Sequence, residues 1–222
     1  DNLLNKIEIV LHKTDGSLII CELSLILHDD VEPVMAILTI EDITLRREAE
    51  ETMSRLAYRD MLTDLPNRLS LQAAQERAFI AWKEMSTPFA VIMVDLDGFK
   101  PINDAYGHGA GDEVLRVIGA RFKSVNRSLD VAARLGGDEF AIVINNCPDG
   151  VVASQVAQRF VDSLSQPIIL RRTRTVINVG ASAGVAHISS GGTNAEEVLK
   201  NADTALYEAK SAGKNCFRLF SS

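Results

Sequence analysis

The sequence predicts an α/β domain whose helices cover a sheet, preceded by a small antiparallel fragment of three strands. Three observations predict it. After residue 68, apolar runs of strand length alternate with amphipathic helical patterns. One of those runs, Phe89-Ala90-Val91-Ile92-Met93-Val94, is continuous rather than alternating, as in a strand buried on both faces. The first 42 residues instead alternate in a strand-like way and turn at Thr14-Asp15-Gly16-Ser17.

Element by element, a strand through Ile7 to Leu11 and a second through Leu18 to Leu27 form a hairpin. A polar break at His28-Asp29-Asp30 and Glu32-Pro33 leads to a third strand, Val34 to Ile40. These three make less than a domain, so an upstream part is expected. Residues 44–58 read as a charged helix with Ala49, Met53 and Leu56 at helical spacing, a connector. A helix through Gln72 to Lys83 precedes the buried strand, which ends in Asp95-Leu96-Asp97 and is followed by another helix. Gly107, Gly109 and Gly111 are expected to break the chain before an amphipathic helix, Glu113 to Lys123. Then come a hairpin around Gly136-Gly137, a helix near Ala153 to Leu164, strands near Val176 to Ala186 and a last helix, Ala195 to Ser211. No repeat of solenoid period is visible.

Composition narrows the function classes. The chain has 222 residues, 46% of them apolar, enough for one full core plus a fragment. Its formal charge of -7 argues against a general nucleic-acid binder, and an anionic substrate would need local positive charge. Cys21, Cys147 and Cys216 are far apart and odd in number, which disfavours a disulfide framework or zinc site and fits a reducing cytoplasm. No apolar stretch approaches the ~20 residues of a membrane helix. A cytoplasmic location is therefore expected, with any membrane tether lying in other parts of a longer protein.

Two acidic clusters carry the chemistry, Asp95-Leu96-Asp97 and Gly136-Gly137-Asp138-Glu139-Phe140. Carboxylates at strand ends, beside glycines that let a ligand approach the backbone, supply the oxygen ligands magnesium prefers and shares with phosphates. A lone glycine hairpin with solvated acids would look the same as the second cluster, and the first cluster is what separates the two readings.

The sequence resembles the GGDEF family of diguanylate cyclases. The resemblance rests on Asp60-Met61-Leu62-Thr63-Asp64-Leu65-Pro66-Asn67-Arg68, Asp95 to Asp104, Gly107-His108, Gly111-Asp112, Arg134 to Phe140, Ser182 to Ala186, Ala202 to Lys210 and Gly213-Lys214-Asn215, in order over residues 58–220. It implies a palm-like nucleotidyl-cyclase fold with a mostly antiparallel central sheet between helices, in a domain spanning 59–222. It also implies condensation of two GTP molecules into cyclic di-GMP and pyrophosphate by a homodimer, each 3'-hydroxyl attacking the other's α-phosphate. Asp95, Asp138 and the Leu96 carbonyl would hold magnesium, with manganese as the alternative. Asn103 and Asp112 would read guanine, because an amide and a carboxylate match its acceptor and donors and adenine offers the wrong pattern. Lys210 and Lys214, at i and i+4, would contact the phosphates. Asp138 is the favoured base and Glu139 the other candidate. Phe99, Lys100, Gly107-His108 and the Gly136-Gly137 pair would shape the triphosphate pocket, although Phe99 is equally suited to the core.

Arg127 and Asp130 form an RxxD pair nine residues before Gly136, where the family places its inhibitory product site, with Arg159 as a candidate for the matching face. Residues 1–43 resemble the end of a PAS sensor domain, and 44–58 a signalling helix, with a plain solvated linker as the lesser alternative. Phe217 to Phe220 resembles the strand that in many relatives leads into a cyclic-di-GMP phosphodiesterase domain. A GTP-binding regulatory module controlling such a domain is the competing function, and a cyclic-di-GMP receptor acting through Arg127 and Asp130 ranks below it. The chain departs from the family at Asp64, where glycine is usual, and at Lys214, where arginine is. His12, His28 and His187 lack partners at ligand spacing, and Trp82 reads as helix packing.

Overall fold

Alternation dictates the first element pair. β1 (Asn2–His12) and β2 (Leu18–His28) are joined by a turn in which Asp15 Oδ1 accepts from the Ser17 N–H and hydroxyl at 2.8 and 2.6 Å, and β2 pairs with β3 (Met35–Asp42). The computed structural model describes residues 2–28, 35–190 and 194–221, so the expected break at 29–34 lies outside the described residues. All pairing in this sheet is antiparallel, with Ile7 opposite Leu23 and Leu23 opposite Ile40, so one face is apolar. The other face carries Glu8 and Glu22, which pair with Arg47 and Arg46 of α1 (Thr44–Tyr58). Thr44 starts that helix from a braced turn, its Oγ1 donating to Asp42 at 2.6 Å and accepting from the Ile20 N–H.

The chain divides into two compact units, 1–57 and 58–222. In the second, α2 (Arg68–Met85) is capped by Asn67, which accepts from the Ser70 N–H, and β4 (Ala90–Asp97) follows. Next come α3 (Phe99–Tyr106), α4 (His108–Val125), β5 (Val131–Gly136), β6 (Glu139–Ile144) and α5 (Gly150–Leu164). A short hairpin, β7 (Ile168–Ile169) and β8 (Val176–Ile177), precedes β9 (Gly180–His187), α6 (Ala195–Ser211) and β10 (Phe217–Leu219). The sheet runs β10-β9-β4-β6-β5 and is antiparallel except for the β10–β9 pair. Helices flank it, as expected from the sequence.

β4 is central, and its side-chain parity organises both cores. Ala90, Ile92 and Val94 pack with Phe122, Phe140 and Phe160, while Val91 and Met93 pack with Leu71 of α2 and Ala202 and Leu206 of α6. The continuous apolar run is therefore two interleaved faces. On the α6 side, a Cβ on Gly184 would lie 2.1 Å from both Ala202 O and Leu206 N, so only glycine lets α6 approach β9 this closely.

Two helix starts differ from the expectation, α2 beginning at Arg68 rather than Gln72. α4 begins at His108 rather than Glu113, because only Gly107 adopts a positive φ, +80°, while Gly109 and Gly111 are helical. Gly111 is there for proximity: a Cβ on it would sit 1.9 Å from Asn103 Oδ1.

Candidate functional site

The two acidic clusters meet where β4 ends and β6 begins. The β5–β6 connection puts Gly136 at φ +143° and Gly137 at φ +53°, conformations that explain the glycine pair. Asp138 follows them, and its carbonyl accepts from the Leu96 N–H at 3.2 Å, which joins the two strand ends. By β4 parity Asp95 and Asp97 lie on the α6 face, with Asp95 opposite Ser182 of β9.

A cavity of about 310 Å³ opens here, lined by Asp95, Leu96, Asp97, Gly98, Phe99, Lys100, Pro101, Asp138, Lys210 and Lys214. The structure thus brings together both expected metal carboxylates, both expected phosphate lysines and the Phe99–Lys100 segment. Phe99 serves two roles, since it is only 7% exposed and belongs to the core as well as the cavity wall. Lys210 Nζ lies 2.8 Å from Asp95 Oδ2. Burial pushes the Asp95 carboxyl up, Lys210 opposes this, and the charges of Asp138 and Asp97 reinforce it. α3 follows its N-cap Gly98, φ +77°, and no side chain caps its first turn, whose residues Phe99, Lys100 and Pro101 line the cavity.

The donor set fits a hard divalent cation. Asp95 and Asp138 offer oxygen ligands within one cavity, and Asp95 feels the charge of Asp138. Among the described residues no group of three or more His, Cys, Asp or Glu side chains could hold a metal alone. Phosphate oxygens and water would complete such a shell.

Asn103 and Asp112 stand on neighbouring helices, the Asn103 amide against Gly111 and Asp112 half-exposed, 3.9 Å from Arg116. His108 is exposed at the start of α4 and does not line the cavity. Glu139 is opposite Asp95 in the β4–β6 register but lines a different opening, with Arg68, Met93 and Leu135, and its carboxylate lies 3.9 Å from Arg68. Of the two base candidates, only Asp138 lines the cavity with Asp95.

Lys214 corrects the sequence reading. It is not one helical turn beyond Lys210, because α6 ends at Ser211. Gly213, Lys214 and Asn215 form a left-handed turn, φ +114°, +65° and +47°, and this turn brings Lys214 to the cavity. The Lys214 N–H donates to Ala209 O at 3.2 Å.

Asp97, Ser182 and Arg134 lie in the motif segments, and the sequence alone assigns them no role. The Ser182 hydroxyl donates to the Asp97 carboxylate at 2.9 and 2.8 Å, and the Asn215 N–H reaches Asp97 Oδ2 at 2.9 Å. Arg134 links Asp60 to the Gly137 carbonyl. The signal available was their co-occurrence in motif segments, which names residues but not partners. Asp64 adopts φ +53°, which aspartate tolerates, and its carboxylate pairs with Lys123 at 2.8 Å and Arg59 at 3.4 Å.

Arg127 and Asp130 line a separate cavity of about 480 Å³ with Asp64, Lys123 and Asn126. Arg127 is exposed, whereas Asp130 is 8% exposed and accepts from the Asn145 N–H at 3.1 Å. Burial raises the Asp130 carboxyl, and the Asn145 N–H, Arg127 and Arg159 act against it. Arg159 is exposed on α5 and donates to Val125 O at 3.2 Å. Cys21 and Cys147 are buried free thiols, and burial pushes the Cys147 thiol up to about 11. Among the described residues no helix is long and apolar enough to cross a membrane.

Residues 57–216 match the family described as "Diguanylate cyclase, GGDEF domain". The chain is 38% identical over 174 residues to the bifunctional diguanylate cyclase/cyclic di-GMP phosphodiesterase MucR of Pseudomonas aeruginosa, covering 78% of this chain and 25% of that protein. It spans between 17 and 25% of the length of the first curated relatives it matches. Among solved structures, the coiled coil and GGDEF domain of DgcB from Caulobacter crescentus, in complex with c-di-GMP, superposes with a TM-score of 0.73 at 30% identity, covering 81% of this chain and 93% of that one. The GGDEF domain of TpbB from Pseudomonas aeruginosa gives 0.69 at 34% identity, covering 72% and 99%.

Proposed function

The chain belongs to the GGDEF family of diguanylate cyclases, and from that membership we propose that it condenses two GTP molecules into cyclic di-GMP and pyrophosphate. The observation that carries the reading is the convergence of Asp95, Asp138, Lys210, Lys214 and the uncapped start of α3 on one cavity. Two carboxylates beside two ammonium groups and an uncapped helix start suit a triphosphate accompanied by a divalent cation.

Asp95 and Asp138 would hold magnesium or manganese with the Leu96 carbonyl. Bound there, the ion would neutralise phosphate charge as the α-phosphate is attacked. Lys210 would turn from Asp95 to the phosphates, joined by Lys214, while the N–H groups of Phe99 and Lys100 take further phosphate oxygens. Asn103 and Asp112 would read the guanine edge, a reading that their placement on adjacent helices supports. Asp138 would take the proton of the attacking 3'-hydroxyl, a role its cavity position supports over Glu139. Gly107-His108 would border the pocket without lining its floor.

Each site would hold one GTP, so two copies must face each other. Residues 44–58 are read as the signalling helix that brings them together. Leu45, Met53 and Leu56 are 81, 69 and 55% exposed on α1, which supports this reading. Residues 1–43 are read as the end of a PAS-like sensor. Arg127 and Asp130, with Arg159, form the proposed product-inhibition site. A phosphodiesterase domain in the full-length protein is the expectation that the bifunctional relative supports.

The test is incubation of the chain with GTP and magnesium, with products separated by chromatography and identified by mass. Cyclic di-GMP that disappears in Asp138→Ala, with the fold retained, establishes the cyclase. GTP binding without product at high protein concentration would instead favour a regulatory module.

A further inference from the structure

The two acids of Asp95-Leu96-Asp97 sit on one face of β4 but have different partners. Asp95 meets the Lys210 ammonium, which lines the cavity. Asp97 is bonded to the fold itself: Ser182, fully buried on β9, donates its hydroxyl between the two carboxylate oxygens, and the Asn215 N–H donates to Oδ2 at 2.9 Å. We propose that Asp97 is a positioning residue, which fixes the left-handed turn Gly213–Asn215 so that Lys214 stands over the triphosphate cavity. The inference rests on the cyclase reading of that cavity and adds a residue to it.

The turn needs such an anchor. Lys214 and Asn215 both take positive φ, +65° and +47°; asparagine tolerates this region, but for lysine it is strained and neighbouring structure must hold it there. The holding contacts converge on Asn215. Its N–H goes to Asp97, and its Oδ1 accepts from the Ser165 hydroxyl at 2.6 Å and the Ala181 N–H at 3.4 Å. β9 leaves room for them, because a Cβ on Gly180 would sit 3.2 Å from Asp97 Oδ2 and 3.3 Å from Asn215 Oδ1. A lysine on a flexible stem gains phosphate affinity when its backbone is fixed in advance, since less freedom is lost on binding. Asp97 is the only charged acceptor among these contacts, and hydrogen bonds to ionised groups are about twice as strong as neutral ones.

The experiment compares Asp97→Ala, Asp97→Asn, Lys214→Ala and the Asp97→Ala/Lys214→Ala double variant with the wild-type chain. Amide hydrogen exchange at residues 213–216 and the kinetics of GTP turnover are both read. We expect faster exchange at Asn215 in Asp97→Ala and a KM for GTP raised on the order of tenfold, the scale of one charge-assisted contact, with kcat changed less. The double variant should be no worse than Lys214→Ala alone, because both changes remove the same contact. Asp97→Asn, which keeps an acceptor oxygen and is the safer variant for folding, should restore part of the KM. Unchanged exchange at Asn215, or additive losses in the double variant, overturns the inference. A raised magnesium requirement in Asp97→Ala with normal exchange also overturns it and makes Asp97 a metal ligand. A wild-type chain that turns over no GTP removes the cyclase reading, while the exchange measurement still decides whether Asp97 holds the turn.

Discussion

Arg134 places Nη1 3.0 Å from both carboxylate oxygens of Asp60, while its Nε and Nη2 donate to the Gly137 carbonyl at 3.1 and 2.8 Å. One guanidinium therefore joins the loop before α2 to the glycine turn that carries Asp138. The pair is well covered, with 10% of the arginine side chain and 22% of the aspartate exposed. Lysine has no planar fork and cannot make both contacts. Arg134→Lys should destabilise the domain by about 2–3 kcal/mol, between exposed and fully buried pairs. Its turnover should fall further than its stability does. Urea unfolding and a product assay on the same preparation check this.

Asp60 and Asp95 should respond to pH with opposite sign. Burial acts to raise Asp60, but hydrogen bonds from Thr63 and Arg134 outweigh it and hold the carboxyl below its ordinary value of 3.8. Its contribution to stability is complete above that value and is lost as pH falls through the lowered folded pKa. Asp95 is raised, chiefly by burial, so its ionised form is disfavoured on folding. Between its unfolded and folded pKa values stability declines as pH rises, and the cost persists at neutral pH. Asp60→Asn should therefore lower Tm at neutral pH, by an amount that shrinks below pH 3.8. Asp95→Asn should keep or raise Tm at neutral pH and still abolish turnover. Thermal unfolding across pH, with the product assay, separates the two.

Gly111→Ala tests the guanine readers without altering either. The added Cβ would meet the Asn103 side-chain oxygen at 1.9 Å and the Phe99 ring at 3.2 Å. The asparagine tip can swing away, so the fold should survive with Asn103 displaced from its place against Gly111. KM for GTP should rise several-fold, and discrimination against ATP should weaken by about 1–3 kcal/mol, the cost of a lost polar recognition contact. Competition kinetics with the two nucleotides measure it.

The order of elements and the two acidic clusters were legible because they are local. The buried run Phe89 to Val94 gave β4, and the glycine pair gave the β5–β6 hairpin. The start of α4 was misplaced because Gly109 and Gly111 carry the same residue type as a break while serving helix and packing. β7 has two residues, too short for any periodicity to register, whereas its partner β8 falls at the start of the expected strands near Val176 to Ala186. The braces were beyond reach for a different reason. Asp97 and Asn215 are 118 positions apart and Arg134 and Asp60 are 74 apart, and nothing in one sequence pairs residues at such separations. Lys214 illustrates the consequence. Its spacing from Lys210 suggests a shared helix face, but the turn that delivers it depends on a distant aspartate.

The RxxD pair divides into an exposed member, Arg127, and a buried one, Asp130. Arg127 is exposed beside its cavity, so Arg127→Ala should leave Tm and initial turnover unchanged and relieve inhibition by accumulated cyclic di-GMP. Asp130 is 8% exposed and accepts from the Asn145 N–H, which anchors the segment after β6 to the turn before β5. Asp130→Ala leaves that part-buried donor without its acceptor, so it should cost about 1 kcal/mol of stability in addition to relieving inhibition. Progress curves with added cyclic di-GMP, read beside thermal unfolding, distinguish the two variants. If Arg127→Ala remains inhibited like the wild-type chain, the arginine is a surface charge and the inhibitory site lies elsewhere. If Asp130→Ala loses inhibition only as it loses fold, the aspartate acts through the turn it supports rather than through the ligand.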